Sequence, residues 1–413
     1  MGTAGVLGIG RFALLGAGLV VLLACDHGDG VKAAGGPAEA SGVSYRVLAP
    51  IESGNLLLFP VVRGGKAPGA DPFLTLDEGI RSGLVEVTET GDVRGLVRPR
   101  RGFQRPYDGP YRPQTSPPPR SNRGDQVNTL VLENNSDRPL LLLAGEIVTG
   151  GKQDRVIAKD RIVPAGSDPI DLGVFCIEPG RWTGESPTFG ASAKIPASSF
   201  LVQPTIREKA MVSKDQHEVW DSVHGAISQM AVAASPAATA TSGGMGNPVP
   251  LGTTSYARAM QNSNVSAKVD EAAAPVMKSR EQVLAKLREE HAVGVVVAVR
   301  GEIVWADLFQ DTDLLTRYWT KLVRSYAAES LLEGERHALP TVADAQKFLE
   351  TPTGGTENSE GTVGVYRFRE LRSNRTETFV LESLLAGAEG DVHISKLKLR
   401  ADRASMNMPL NER

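Results

Sequence analysis

The sequence has few cysteines, little net charge and only a short apolar run near its N-terminus. Its 413 residues contain two cysteines, and the formal net charge is −3. Because two cysteines cannot build a disulfide framework, we expect the fold to depend on its hydrophobic core. A nucleic-acid-binding domain usually shows a strong basic excess. The near-neutral balance therefore argues against a nucleic-acid partner.

The apolar run extends from Phe12 to Ala24 and follows a single basic residue, Arg11. A membrane-spanning helix needs about 20 apolar residues, so this run is too short for a stable anchor. A short apolar run behind a basic residue is typical of an export signal. We therefore predict that residues 1–24 are a signal peptide.

The signal ends in Leu22-Leu23-Ala24-Cys25, which resembles the lipobox of bacterial lipoproteins. The resemblance implies that Cys25 becomes the lipidated N-terminus after cleavage. An ordinary secretory signal with cleavage nearby is the alternative. Stable anchoring needs more than one acyl chain, a condition that a triacylated cysteine meets. We therefore predict a cell-envelope lipoprotein, held to membrane lipid through Cys25 and facing the periplasm or the exterior.

The rest of the chain divides into a tether and one domain. Residues 25–42 contain Cys25 followed by Gly, Ala and acidic residues, a composition typical of a flexible tether. For residues 43–399 we predict a single α+β domain with a β-rich core of sandwich or barrel-like sheets. Strand patterns dominate residues 43–205, whereas helical and mixed patterns dominate residues 206–399 and place several helices in the C-terminal half.

Two stretches of biased composition interrupt this domain. Residues 98–126 are rich in Arg and Pro, cannot bury enough apolar surface to order themselves, and predict a disordered insertion. A basic arm that contacts anionic headgroups, nucleic acid or a partner is the alternative for this stretch. Residues 231–262 are rich in Ala, Ser, Thr and Gly and predict a second, flexible insertion.

Local patterns predict individual elements. Gly83 follows one helical pattern as a stop signal, and Asp311 precedes another as an N-cap. Arg300-Gly301 separates two apolar runs and indicates a hairpin. Further predictions are helices at 206–230 and 276–291 and a polar linker at 351–361.

The stretch from residue 139 to residue 182 combines apolar strand patterns with a high density of charge. Within it, Gly150-Gly151 offers the positive φ angles that a two-residue type I′ turn needs. In that register Glu146 faces Arg155 directly across the hairpin, where opposite charges interact. The pattern therefore predicts a cross-strand ion pair between these two side chains.

The same stretch carries a set of short motifs: Gly145-Glu146, Gly150-Gly151-Lys152-Gln153, Arg155, Val163-Pro164-Ala165-Gly166-Ser167, Cys176-Ile177-Glu178 and Gly180-Arg181-Trp182. Together they resemble the bacterial ARG and rhodanese-phosphatase-superfamily-associated protein domain family, named for its gene neighbours, the ADP-ribosylglycohydrolases and rhodanese-phosphatases. Weaker similarity extends from Tyr45 to Ala386. The resemblance implies a shared fold and a neighbourhood link to ADP-ribose chemistry. Such a link is an association, and a fold does not assign a function.

Two catalytic motifs match only in part. Gly145 to Lys152 is one residue too long for a phosphate-binding loop, and a strand pattern follows it where a helix is needed. Cys176 and Arg181 resemble the cysteine–arginine loop of rhodaneses and phosphatases. Glu178 inside that loop would repel an anion, and the strand pattern favours a buried thiol. We therefore expect Cys176 to be inert.

His217-Glu218 and His224 are the candidate metal ligands. Their spacing differs from the i, i+4 histidine pair of a helical zinc motif, and no cysteine or carboxylate cluster accompanies them. We therefore predict no metal site, and nothing in the sequence indicates a cofactor.

The sequence thus favours a binding or scaffolding role for an unknown ligand and does not decide whether the protein is an enzyme. The alternative is a hydrolase or transferase acting on a nucleotide-like, ADP-ribose-related or other phosphate-bearing substrate. Its site would consist of Glu146, Lys152, Asp154, Arg155, Glu178 and Arg181. An enzyme predicts that these side chains converge on one concave pocket. A scaffold predicts that they spread along a solvated sheet face.

Overall fold

The computed structural model describes residues 44–64, 72–90, 128–181, 188–190, 200–235, 250–278, 280–351, 355–373 and 375–399. The predicted signal peptide, Cys25 with its tether, and the predicted insertion at 98–126 lie outside the described residues. All described residues belong to one structural unit, residues 34–413.

Strands are the most numerous elements of the described residues, and they form three sheets. Their bounds are β1 Tyr45–Val47, β2 Ile51–Ser53, β3 Leu56–Arg63, β4 Leu74–Thr75, β5 Val85–Glu89, β6 Thr129–Asn134, β7 Leu140–Leu142, β8 Ile147–Val148, β9 Arg155–Ile157, β10 Arg161–Val163, β11 Ser167–Cys176, β12 Ala292–Val299, β13 Glu302–Phe309, β14 Thr356–Thr362, β15 Tyr366–Arg372, β16 Thr376–Ser383 and β17 Gly390–Lys398.

The largest sheet has nine strands in the order β1-β3-β12-β13-β17-β16-β15-β14, with β2 also pairing with β3. A three-stranded sheet has the order β10-β7-β4, and a five-stranded sheet the order β5-β6-β11-β9-β8. The strand β12 reads AVGVVVAV and is buried at every position. Apolar residues on both faces of a strand indicate that both faces are covered, so the centre of the large sheet lies inside the molecule.

The helices of the described residues pack against these sheets, and all but the first of them follow residue 203. They are α1 Leu76–Ser82, α2 Pro204–Glu208, a π-helical segment Lys209–Ser213, α3 Gln216–Ala234, α4 Tyr256–Gln261, α5 Ser263–Lys278, α6 Arg280–Glu289, α7 Thr312–Ser330 and α8 Val342–Glu350. This arrangement confirms the predicted α+β class with a β-rich core and helices mainly in the C-terminal half.

The main hydrophobic core lies between one face of the large sheet, the smaller sheets and most helices. From α7 it receives Trp319, Leu322 and Tyr326, which are fully buried. The opposite face of the large sheet packs on α8 through Phe348 and Leu349. Among the described residues, no helix is both long and apolar enough to cross a membrane.

Three local predictions are confirmed. Thr75 caps α1, and Gly83 ends it in the left-handed conformation with φ 71°. Arg300 and Gly301, with φ 53° and 86°, connect β12 and β13 as the two central residues of a hairpin turn. The Asp311 side chain accepts a hydrogen bond from the Leu314 backbone N–H and so caps α7. Each of these features follows from neighbouring residues alone.

Two helix predictions are wrong. The predicted helix at 206–230 is interrupted, because the π-helical segment ends at Lys214, whose φ of 54° is left-handed, and α3 begins after Asp215. The predicted helix at 276–291 starts too late, since α5 begins at Ser263 and extends through Pro275 to Lys278, and residues 280–289 are also helical as α6. The left-handed Lys214 stops the first of these helices, because a right-handed helix cannot continue through such a residue. Neither Gly nor Pro occurs at this position, so the sequence pattern does not indicate the break.

Two loop predictions also require correction. The predicted polar linker at 351–361 contains most of β14, a sheet-edge strand that is exposed at every position. A strand exposed on both faces shows no apolar alternation, so the pattern gives no signal. The Ala-rich insertion is narrower than residues 231–262, because α3 continues to Ala234 and the buried residues of α4 lie within that range.

Candidate functional site

The site begins at the loop between β8 and β9, which has six residues, Thr149 to Asp154. The strands pair Ile147 with Val156 and Val148 with Arg155, so the predicted two-residue turn is wrong. Gly150 and Gly151 do have positive φ angles, 109° and 51°. A Cβ atom on Gly151 would lie 2.4 Å from the Phe189 ring. Glycine is therefore required there by both the backbone angle and the close contact.

The longer loop also removes the predicted ion pair between Glu146 and Arg155. The fully buried Glu146 carboxylate instead accepts hydrogen bonds from Lys321 Nζ at 2.6 Å and from the Leu143 backbone N–H at 2.8 Å. Lys321 Nζ lies 2.8 Å from Asp77 Oδ2 as well. Burial raises the pKa of Glu146, although Lys321 opposes this shift. Glu146 therefore stabilises α7 against the sheets and lies outside the loop's group of charges.

Arg181 links the loop to the end of β11. Its Nη2 atom lies 2.6 Å from Glu178 Oε2 and 3.7 Å from Asp154 Oδ1. Its Nη1 atom donates to the Gly151 carbonyl at 3.1 Å. The Asp154 backbone N–H in turn donates to Glu178 Oε2 at 3.1 Å. One guanidinium thus holds two carboxylates and the glycine turn together.

Arg155 and Glu89 extend this group to β5. Arg155 Nη2 lies 3.9 Å from Glu89 Oε1, and that same carboxylate oxygen accepts from the Lys152 backbone N–H at 2.9 Å. Arg155 and Glu89 are buried, whereas Lys152 is partly exposed. We call Glu89, Asp154, Arg155, Glu178 and Arg181 the loop network.

The loop network contains adjacent like charges. Burial raises the pKa of Asp154, and the neighbouring Glu178 carboxylate raises it further. Hydrogen bonds from Ser255 Oγ at 2.5 Å and from the Gly150 backbone N–H at 3.1 Å oppose this shift. Burial also lowers the pKa of Arg155. Desolvation is therefore the dominant electrostatic effect at this site.

Five of the six predicted site residues thus lie around one loop, and Glu146 lies elsewhere. The sequence did not reveal Glu89 or Ser255, which lie far from the loop in the chain. Local sequence patterns do not indicate them, because Glu89 belongs to the strand β5 and Ser255 precedes the helix α4, and both elements have ordinary patterns.

The alternative motifs have structural roles. Cys176 is the last residue of β11 and is fully buried, and burial raises the pKa of its thiol. The predicted burial of Cys176 is therefore confirmed, and because a raised thiol pKa lowers the thiolate fraction, we still expect this cysteine to be inert. The segment after Gly145 to Lys152 leads into the strand β9 and not into a helix. His217 and His224 are exposed on α3, and the described residues contain no clustered set of metal-ligand side chains.

A second group of charges lies deeper, and we call Asp160, Arg207, Asp307 and His393 the core network. Arg207 Nη1 lies 2.8 Å from Asp307 Oδ2, while His393 Nε2 lies 3.2 Å from Asp307 Oδ1. His393 Nδ1 lies 2.6 Å from Asp160 Oδ2. All four side chains are essentially inaccessible to solvent. Burial acts against a charge on His393, but the two carboxylates raise its pKa to about 9.

The core network also fixes the backbone beside Glu146. Arg207 Nε donates to the Ala144 carbonyl at 2.8 Å, and the Ala144 N–H donates to Asp160 Oδ1 at 2.7 Å. Gly145 has a φ of 93°, and a Cβ atom there would lie 2.9 Å from the Arg207 side chain. Gly145 therefore leaves the space that the buried Arg207 side chain occupies.

Two cavities lie away from both networks. A cavity of about 500 Å³ lies between the β12–β13 turn and α8, lined in part by Glu302, Phe348 and Lys398. An apolar cleft of about 400 Å³ lies between α6 and the segment that joins β1 to β2. None of the six predicted site residues lines either cavity.

Comparison with known proteins gives one match. Searches of curated proteins and of solved structures find no match. A family model, described as the ARG and Rhodanese-Phosphatase-superfamily-associated Protein domain, matches residues 44–397. This range includes the loop network, the core network, the apolar cleft and the lining of the other cavity except for Lys398. The chain therefore belongs to the ARG and Rhodanese-Phosphatase-superfamily-associated Protein domain family.

Proposed function

We propose that the protein is a lipid-anchored envelope protein whose globular part binds a ligand and does not use the loop network for catalysis. The observation that supports this role is that the side chains of Asp154, Glu178 and Arg181 already bond to groups of the protein itself. Arg181 bonds to Glu178 and to the Gly151 carbonyl, and Asp154 bonds to Ser255. A catalytic acid or base must reach a substrate atom within hydrogen-bond distance. Here Asp154 and Glu178 are each only 3% exposed.

A hydrolase or transferase acting on a phosphate-bearing, ADP-ribose-related substrate is the second candidate. It is favoured by the convergence of five predicted charges beside two glycines with positive φ angles. Against it, the loop network pairs carboxylates with arginines and lines neither of the two cavities. A phosphate would have to displace Glu178 from Arg181 and would then face the Asp154 carboxylate.

The two candidates are separated by changing Glu89, the buried carboxylate that supports the loop. We expect Glu89→Gln to lower the melting temperature, because Arg155 then loses its charged partner at 3.9 Å. The control is Glu86→Gln on the same strand, where the side chain is exposed. The measurement pairs thermal unfolding with an assay for release of ADP-ribose from an ADP-ribosylated peptide. Hydrolysis by the wild type that Glu89→Gln abolishes without loss of stability would contradict the binding role.

The lipid anchor is tested separately. Cys25→Ser should abolish fatty-acid labelling and release the protein from membranes, because the anchor depends on acyl chains attached at that cysteine. Cys176→Ser is the matched control and should leave both labelling and membrane association unchanged. A wild-type protein without lipid in its mass spectrum would contradict the anchored location.

A further inference from the structure

The apolar cleft results from a bulge at the edge of the large sheet. Val47 of β1 pairs with Val61, and Ile51 of β2 pairs with Leu58. Residues 48–50 therefore lie opposite only two residues of β3, Phe59 and Pro60. An extra residue in one strand bends it away from its partner, as β-bulges beside functional sites do.

Two prolines keep this bulge open. Pro60 lies inside β3 and Pro50 lies in the bulged segment, and neither can donate a backbone hydrogen bond. The segment is held at one point, where the Leu48 N–H donates to the Pro60 carbonyl at 2.8 Å. The edge therefore lacks regular pairing at this point, and the cleft lies between the bulge and α6.

The walls of the gap are apolar. Leu48, Pro50 and Ile51 form the sheet side, and Val283 and Leu287 form the helix side. Leu48, Ile51 and Val283 remain partly exposed even though they pack on the main core. The volume of about 400 Å³ lies near the lower end of the range of about 300–1,000 Å³ for ligand pockets. This volume suits one alkyl chain better than two.

The rim of the cleft carries one charge of each sign. Lys286 and Glu290 line the cleft from the C-terminal end of α6. The Glu290 backbone N–H bonds to the Lys286 carbonyl at 2.9 Å, so the two residues lie one helical turn apart. Both side chains are exposed, and neither has an ion-pair partner among the described residues. The rim therefore complements a headgroup that contains both a cation and an anion.

We propose that this cleft binds a single-chain amphiphile with a zwitterionic headgroup, such as a lysophospholipid. The alkyl chain lies between the bulge and α6, the phosphate contacts Lys286, and the ammonium group contacts Glu290. Burial of the chain supplies most of the affinity, and the exposed charges supply the preference among headgroups. This proposal names the ligand class for the binding role above and rests on it.

The first experiment is a calorimetric titration of the full chain, carrying Cys25→Ser, with dodecylphosphocholine below its micelle concentration. We expect saturable binding with one ligand per chain and weaker binding of octylphosphocholine. Because this chain lacks the lipidated cysteine, the result does not depend on anchoring. Absence of saturable binding would overturn the cleft proposal while leaving the fatty-acid labelling of Cys25 to decide the anchored location.

Filling the cleft tests where the ligand binds. We expect Val283→Trp to weaken dodecylphosphocholine binding by about tenfold or more, because the indole occupies the alkyl chain's space. Ala285→Trp is the control, since Ala285 is exposed on the same helix and does not line the cleft. Ala49→Trp, from the bulged segment, should reproduce the loss without altering α6. Equal affinities of the two cleft variants and the control, with unchanged melting temperatures, would overturn the location.

Removing one rim charge tests the headgroup. In the wild type we expect dodecylphosphocholine to bind more tightly than dodecanoate or dodecyltrimethylammonium. Glu290→Gln should shift the preference toward dodecanoate, because Lys286 is then the one charged residue among those that line the cleft. Glu289→Gln, an exposed neighbour outside the cleft, should leave the preference unchanged. Identical affinities for the three probes in the wild type would overturn the zwitterionic assignment.

Discussion

The two buried charge networks differ in how their charges are ordered. In the core network the sequence of contacts is Asp160, His393, Asp307 and Arg207, so cations and carboxylates alternate. In the loop network Asp154 and Glu178 are neighbours and share Arg181. The pKa of Asp307 is lowered, because Arg207 and His393 outweigh the effect of burial. The pKa of Asp154 is raised.

This difference follows from depth. A fully desolvated charge is tolerated only with good partners and satisfied hydrogen bonds, and Asp307 also accepts from Tyr326 and Ser395. Arg181 in the loop network keeps 15% of its side chain exposed, so nearby solvent reduces the repulsion between its two carboxylates. Substitutions in the core network should therefore cost more than substitutions at Asp154, Glu178 or Arg181 in the loop network.

The largest effect is expected for Arg207→Met. This change leaves Asp307 charged and buried without its arginine, which should lower the free energy of unfolding by about 3–5 kcal/mol. The measurement is urea denaturation at neutral pH. Arg46→Met, at an exposed position of β1, is the control and should change stability by less than about 0.5 kcal/mol. Similar losses for the two variants would refute the role of the core network.

The next effect is a pH dependence that His393 causes. Its pKa is raised on folding from 6.5 to about 9, so its stabilising contribution is complete below about pH 6.5 and is lost as the pH rises through about 9. The stability gap between wild type and His393→Gln should therefore narrow from about pH 6 to about pH 10, on the order of 3 kcal/mol.

Lys396 acts in the opposite direction, so the comparison with a variant is necessary. Burial lowers the pKa of Lys396 from 10.5 to about 8. A lysine with a lowered pKa adds stability as the pH rises above that value. Because Lys396 is present in both proteins, the difference between them isolates His393. A gap that stays constant across this pH range would show that folding does not raise the pKa of His393.

Gly151→Ala should have an intermediate effect in the loop network. The added Cβ meets the Phe189 ring at 2.4 Å and Glu89 Oε1 at 2.9 Å, and φ is 51°. Gly166→Ala is a matched control, because its φ is 54° but nothing lies within 4 Å of an added Cβ. The backbone cost of about 1–2 kcal/mol applies to both, so Gly151→Ala should be less stable by a further margin in thermal unfolding. Equal melting temperatures would show that the loop shifts without cost.

The smallest effect is expected for Asp154→Asn. A carboxyl group whose pKa rises on folding reduces stability above that pKa, and the amide removes its repulsion with Glu178 while it still accepts from Gly150. We expect a change of less than about 1 kcal/mol at neutral pH. Glu178→Gln should cost more, because it weakens the bond to Arg181 at 2.6 Å. The reverse order in denaturant titrations would contradict this view of the loop network.

Local chemistry determined which parts of the fold could be predicted. The Arg300-Gly301 turn and the Asp311 cap depend on adjacent residues, and both were predictable. The loop at Gly150-Gly151 was predicted with the wrong length, because Asp154 accepts from the Gly150 N–H and so replaces a two-residue turn. That hydrogen bond depends on Ser255 and Arg181, which other elements supply.

Partners distant in the chain account for the rest of the candidate site. Glu146 pairs with Lys321, and Asp160 with His393, and neither pair leaves a signal in local periodicity. The cleft was also missed, because Pro60 within an apolar run argues against regular sheet pairing but does not show which helix covers the gap. These residues become buried only when the sheets assemble, so their burial cannot be predicted from the neighbouring sequence.

The pairing of β3 with β12 has a consequence for how the chain acquires its structure during synthesis. Val62 pairs with Ala292, so the apolar strand LLLFPVVR is made long before its central neighbour exists. Pairings between distant segments form slowly, and an unpaired apolar strand is prone to aggregation in the meantime. Pro60 interrupts this strand in the way that gatekeeper residues do. We therefore expect Pro60, which lines the cleft in the finished protein, also to reduce aggregation of the nascent chain.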